Sequence, residues 1–149
     1  MAVVCFDSSA FVKLLVEESG SDVAARLWDE ADVVVASRLA FPEVSAALAA
    51  ARRTERLDVS SERRAHRDWD EFWAATRVVE LTDSVAADAA KLSRKHILGG
   101  ADAIHLASAM TLGEASPILA AWDARLRAAA SQAGLVVAPR ALPSPGLAG

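Results

Sequence analysis

The sequence is poor in the residues on which several kinds of function depend. It holds a single cysteine, Cys5, so no internal disulfide can form, and its place within an apolar segment suits packing rather than reactivity. Three histidines, His66, His96 and His105, are scattered and match no zinc-ligand spacing. Basic residues do not dominate. Against 20 Asp and Glu stand 16 Lys and Arg, giving a net charge of -4 and a pI near 5.3, which argues against holding nucleic acid through a broad basic field. Apolar residues come in short runs, none as long as a bilayer span, and the first residues lack the basic region and apolar core of a signal peptide. The reading is a soluble, cytoplasmic protein with no membrane partner. Phosphate-loop and dinucleotide fingerprints are absent, as are internal repeats and low-complexity segments.

What the chain does have is apolar content, 53% of 149 residues, enough for one well-buried domain. It is organised around the stretch from Val4 to Leu15. Val3 to Phe6 shows no polar alternation and suits a strand buried on both faces, as in a parallel sheet covered by helices. Asp7 follows, and Ser8 or Ser9 fits the N-cap of a helix. Asp7 is thereby placed at the carboxyl end of a central strand, the edge of an open α/β sheet where ligands bind; it also fits a simple turn residue.

The rest of the chain alternates in the same way. Ser21 caps a second helix to about Glu30, and Asp32 to Ala36 reads as a second strand. A third helix carries Glu43 and the alanines up to Ala51. From Ser60 a helix follows whose Ala65, Trp69, Phe72, Trp73 and Thr76 recur at packing intervals. Arg77 to Leu81 is a third strand, and Thr82 caps the next helix. The break at Ile97 to Gly100 precedes a helix from Ala101 to about Leu112. Ile118 to Trp122 is a fourth strand, Ala124 to Ala133 a helix ended by Gly134, and Leu135 to Ala138 a last strand. This pattern predicts an α/β fold, a three-layer α/β/α sandwich around a mainly parallel sheet, over residues 1–138. Residues 139–149, rich in Pro, Gly and Ala, read as a loose tail.

Four acids share one topological address. Asp7 and Asp123 follow strands, Glu43 lies in the helix after the second strand, and Asp102 opens the helix after Gly99-Gly100. Strand-to-helix junctions of a parallel sheet lie along one edge, so the four carboxylates could converge there. Convergence would set up six repulsive pairs, each costing about 3 kcal/mol at ~6 Å and an effective dielectric of ~20. That rivals a whole domain's stability of about 5–15 kcal/mol, so protons or a cation are demanded. Oxygen ligands alone suit Mg²⁺ or Mn²⁺. A carboxylate-held divalent ion beside a phosphodiester suits hydrolytic cleavage. Singly, each acid has another reading: Glu43 as a first-turn residue favoured by the helix dipole, Asp102 and Asp123 as N-caps. His105, at i+3 from Asp102, fits either a supporting donor or a packed histidine. Lys13 fits either a group reaching the site or a surface residue. Arg52, Arg53 and Arg56, followed by Arg63, Arg64 and Arg67, form either a solvated face with partners such as Glu62 and Asp68, or a local RNA-binding patch.

Four segments, Asp7-Ser8-Ser9-Ala10-Phe11-Val12-Lys13, Pro42-Glu43-Val44, Ala101-Asp102-Ala103-Ile104-His105-Leu106-Ala107 and Trp122-Asp123-Ala124-Arg125-Leu126, resemble the four motifs of PIN-domain proteins. The nearest likeness is to VapC toxins of type II toxin–antitoxin pairs, in order from about residue 2 to residue 138. The resemblance implies a Mg²⁺- or Mn²⁺-dependent endoribonuclease acting on tRNA or rRNA. Asp7 and Asp102 would be the main metal ligands, with Glu43 and Asp123 completing the site. It also implies a homodimer and inhibition by a VapB-type antitoxin able to put a basic side chain into the acidic pocket. One position departs: members often carry Ser or Thr two residues before the fourth acid, where this chain has Ala121, so a hydroxyl able to orient Asp7 is missing there. The competing readings are a non-catalytic PIN-fold module that binds RNA or protein, and another Mg-dependent α/β phosphohydrolase. A phosphoaspartyl phosphatase would want an acid at position 9, where Ser9 stands.

Overall fold

The computed structural model describes residues 1–143; the rest of the tail expected from the sequence lies outside them. Over the described residues five short strands form one fully parallel sheet in the order β3-β2-β1-β4-β5, where β1 is Val3–Phe6, β2 Val33–Ser37, β3 Arg77–Val79, β4 Ile118–Ala120 and β5 Val136–Ala138. Each residue of β1 is buried, as its unbroken apolar run requires when both neighbours and both faces are covered. Side chains alternate across the sheet. Val3, Cys5, Val35 and Leu119 enter one core, packed under α5 (Asp83–His96), α6 (Gly100–Met110) and α7 (Ala124–Gln132). Val4, Phe6, Val34 and Ala120 enter the other, under α1 (Ser8–Leu15), α2 (Ser21–Glu30), α3 (Ala40–Arg53) and α4 (Val59–Ala74). This is the three-layer α/β/α architecture expected from the alternation.

The second core is aromatic. Phe11 meets Trp69 with ring centroids 4.8 Å apart and Phe6 at 5.1 Å. Trp69 is 1% exposed, which gives the helical spacing of Trp69 and Trp73 a packing role; removing so large a buried ring costs about 3–5 kcal/mol. Its indole Nε1 finds no partner, an expense of about 1–3 kcal/mol that the surrounding apolar contacts outweigh.

Helix starts differ from the sequence expectation in a consistent way. Asp7, not Ser8 or Ser9, is the N-cap of α1, its carboxylate accepting from Ala10 N. Asp58, not Ser60, caps α4. Gly20, with φ +94°, precedes α2, and Ser21 instead donates to Val16 O. Asp, Ser and Asn cap about equally well, so the sequence could not choose between neighbours. Thr82 and Asp123 cap α5 and α7 as read, and Gly134, at φ +91°, follows the C-cap of α7. Strands β3 and β4 end two residues earlier than expected, at Val79 and Ala120, because the chain leaves the sheet there to enter the loops that carry Glu80 and Asp123.

The order of strands places the topological switch at β1, which has β2 on one side and β4 on the other. Successive crossovers leave in opposite directions from it, and the crevice this opens at the carboxyl ends is where open α/β sheets bind ligands. Asp7 stands at that crevice; its backbone N–H continues the ladder onto Ala120 O at 3.2 Å.

Candidate active site

Asp7 is 5% exposed. Its Oδ1 accepts from Ser9 Oγ at 2.6 Å and from Ala10 N at 2.9 Å, so one carboxylate oxygen is committed to closing the first turn of α1. Among the described residues Trp69 Nε1 is the sole sealed side-chain polar atom without a partner. No donor among the described residues reaches Asp7 Oδ2. Burial pushes the Asp7 carboxyl above the usual carboxylate range; the Ser9 and Ala10 bonds and His105 oppose this, while the nearby charge of Asp102 adds to it. Ser9 Oγ also accepts from Trp122 N at 3.4 Å, tying the first acidic segment to the fourth. The orienting hydroxyl missing at Ala121 is thus supplied from the α1 side by Ser9. A second acid at this position, the phosphatase requirement, would repel Asp7 rather than hold it.

Glu43 lies in the first turn of α3. Its Oε1 accepts from Ser8 Oγ at 2.7 Å and sits 2.6 Å from His105 Nε2, with Ser8 Oγ and His105 Nε2 3.4 Å apart. Burial pushes Glu43 up, but the bonds from His105 and Ser8, with the His105 charge, outweigh it and hold the carboxyl below its usual value. His105 is 5% exposed. It serves Glu43 rather than Asp102, the neighbour suggested by its i+3 spacing, because the buried face of α6 turns it toward α3.

Asp102, half-buried in the first turn of α6, is raised by burial, then by the charge of Asp123, and further by that of Glu43, with His105 opposing. It is not an N-cap; Gly99 occupies that place. Asp123 does cap α7, accepting from Arg125 N and Leu126 N at 3.0 Å each. The four acids therefore lie in one electrostatic neighbourhood: Asp7 feels Asp102, and Asp102 feels Asp123 and Glu43. They are not drawn into one ligand shell, and among the described residues no three Asp, Glu, His or Cys side chains form a ready metal cluster. Asp7, Glu43 and Asp123 are turned to local donors instead, as mutual repulsion favours.

The donor set nevertheless fits a hard divalent cation. All four groups offer carboxylate oxygens, and two, Asp7 and Asp102, are pushed toward protonation by burial and by neighbouring carboxylates. A cation would remove the repulsion that raises them.

Other candidates fall elsewhere. Lys13 neither reaches the acids nor lies free on the surface: its Nζ pairs with Glu18 at 2.9 Å, 11% exposed, and lies 5.1 Å over the Trp122 ring. Arg56 pairs with the same Glu18 at 2.6 Å, and Arg52 reaches Glu62 at 3.9 Å. Arg52 and Arg53 occupy the last turn of α3, roughly 15 Å along the helix from Glu43 at 1.5 Å per residue. Arg63, Arg64 and Arg67 are exposed on α4. Ser8 and Ser9 were not singled out as site residues by sequence; their position directly after the strand-end acid was the available signal.

A PIN-domain family model matches residues 4–132. The chain belongs to the PIN-domain family, in its VapC branch. It is 54% identical over 142 residues to ribonuclease VapC45 of Mycobacterium tuberculosis, covering 95% of this chain and 99% of that one. Among solved PIN folds, the sarcin-ricin-loop-cleaving toxin VapC20 of M. tuberculosis aligns with a TM-score of 0.64 at 21% identity, over 89% of this chain and 96% of that one. A toxin–antitoxin complex from Klebsiella pneumoniae aligns at 0.59 and 18% identity, over 84% and 90%. At those identities the two structures speak to the fold alone. Among the described residues no helix of this PIN chain is long and apolar enough to cross a membrane.

Proposed function

We propose that this chain is a VapC-type toxin, an endoribonuclease that hydrolyses RNA phosphodiester bonds with Mg²⁺ or Mn²⁺ and is restrained by a VapB-type antitoxin. The observation that carries the reading is the grouping of Asp7, Glu43, Asp102 and Asp123 within mutual electrostatic range at the switch point, in a chain 54% identical to a named ribonuclease. Asp7 and Asp102 would hold the cation, with Glu43 and Asp123 completing its acidic surroundings. When bound, such an ion supplies a Lewis acid for the phosphodiester and a water of lowered pKa. The chain's own residues supply position. Ser9 and Ala10 fix the Asp7 carboxylate through Oδ1 and leave Oδ2 without a donor among the described residues. Ser8 and His105 occupy Glu43 Oε1 and keep the group ionised, leaving Oε2 to accept a hydrogen bond or a proton from the attacking water.

A cationic antitoxin side chain in this crevice would relieve the same repulsion that a metal relieves, which gives inhibition a direct electrostatic basis. A homodimer follows from the family resemblance. Cleavage of RNA by the purified protein with Mn²⁺, set against Asp7→Asn, tests the reading. The variant keeps an oxygen for Ser9 and Ala10 but loses the ligand charge, so its rate should fall at least a hundredfold. Equal cutting by both proteins would refute a metal nuclease.

A further inference from the structure

We propose that the notch between the C-terminal end of α5 and the flank of α7 is a subsite for a phosphate of the RNA strand, next to the acidic crevice; this rests on the ribonuclease reading above. Lys95, His96 and Ile97 line one side of the notch, Arg125 and Gln132 the other. It opens to solvent and holds about 260 Å³, less than a drug-sized ligand fills but room for a phosphate group. His96 Nδ1 and Gln132 Oε1, 3.1 Å apart, bridge its floor.

Three features point to an anion. First, the notch adjoins the chemistry: Arg125 shares the opening turn of α7 with Asp123, and Ile97 lies five residues before Asp102. Secondly, its cations are uncommitted, as are Arg53, Arg63, Arg64 and Arg67, but those lie on α3 and α4, away from the start of α7. Lys13, Arg38, Arg52 and Arg56 are each paired with a carboxylate, and Arg127 is spent on the carbonyls of Ala121 and Pro139. Among the described residues no acidic side chain pairs with Lys95 or Arg125. Thirdly, Arg125 stands at the second position of a helix, where the dipole disfavours positive charge. Helix α5 ends in Arg94-Lys95-His96, a placement that its own dipole explains; Arg125 facing them is not explained that way.

The need is physical. A chain of net charge -4 with four acids at its crevice repels a polyanion, so nearby cations must grip the strand for the scissile bond to approach. Ile97 completes the notch. It is 81% exposed in a left-handed conformation, φ +54°, uncommon for a β-branched residue, and offers an apolar edge where a base would lie.

The test uses a labelled single-stranded RNA in EDTA, with affinity measured against salt for the full-length protein and for Lys95→Ala/Arg125→Ala, and with Mn²⁺ cleavage measured alongside. The double variant should bind about tenfold or more weakly. Its log–log salt slope should become shallower by about 0.7, the value for one phosphate contact on a single strand. KM should rise with kcat unchanged, and the melting midpoint should stay put because both side chains are exposed. Lys95→Arg/Arg125→Lys should restore binding. Wild-type protein that binds and cuts RNA, beside a double variant of equal affinity and slope, overturns the subsite alone. Loss of binding to poly-glutamate with RNA affinity intact likewise overturns it, in favour of an acidic protein segment. Wild-type protein that neither binds nor cuts RNA brings down the ribonuclease reading itself.

Discussion

Asp102→Asn should make the protein more stable and less active at once. Asp102 is repelled by Asp123 and Glu43 and in turn raises Asp7. At ~7 Å each pair is worth about 0.6 kcal/mol in bulk water and about 2.4 kcal/mol at an effective dielectric of ~20. Asp102 is open enough to solvent for the lower end to apply, so three pairs less the attraction of His105 leave about 1–2 kcal/mol. For a chain of this length that raises the melting midpoint by about 2–8 °C. The pH dependence has a defined sign. The folded-state pKa of Asp102 lies above its unfolded value, so between the two the folded chain holds the extra proton and acidification stabilises it. The penalty is full above the folded pKa. The gap between wild type and Asp102→Asn should therefore widen toward neutral pH and close on acidification. Mn²⁺ at about 100 times its Kd should add about 2.7 kcal/mol to the wild type and less to the variant. Differential scanning fluorimetry with and without Mn²⁺, across the acid-to-neutral range, reads all three effects. A variant that melts no higher than the wild type at any pH, with a wild-type midpoint indifferent to Mn²⁺, would refute the convergence of these acids.

Two further substitutions probe the supports. His105→Ala removes the Nε2 partner of half-buried Glu43 and should cost about 1–3 kcal/mol in urea unfolding, with His105→Gln recovering part. Glu43 is held below its unfolded pKa, so its contribution is present above that value and lost as pH falls through the folded one; the destabilisation should shrink on acidification. Gly20→Ala sets a Cβ at φ +94° and 2.8 Å from Trp122 Nε1, so it should cost about 2–4 kcal/mol, shift tryptophan emission and lower cleavage through the adjoining Asp123.

The fold was legible where pattern and burial agree. The unpolarised runs of β1 and β2, the Thr82 cap and the break at Gly134 each reflect a local rule that tertiary structure had no reason to override. Strand ends were less legible, since Glu80-Leu81 and Ala121-Trp122 are as strand-like as what precedes them and only the departure of the chain toward the site ends the ladder. The addresses of the four acids followed from parallel topology. Their hydrogen bonds did not, because Glu43 and His105 are 62 residues apart and meet only through the packing of α3 and α6 across the sheet. Lys13 shows the same limit: nothing local distinguishes a lysine shared between Glu18 and Trp122 from one in water.

The bond from Trp122 N to Ser9 Oγ spans 113 positions, and β1 gains its second neighbour only when β4 arrives. A growing chain on the ribosome thus displays Asp7 for most of its synthesis with the opposing wall of the crevice still untranslated. A chain broken upstream of Ile118 would keep Asp7 but lack the wall of the crevice that β4 and Trp122 supply.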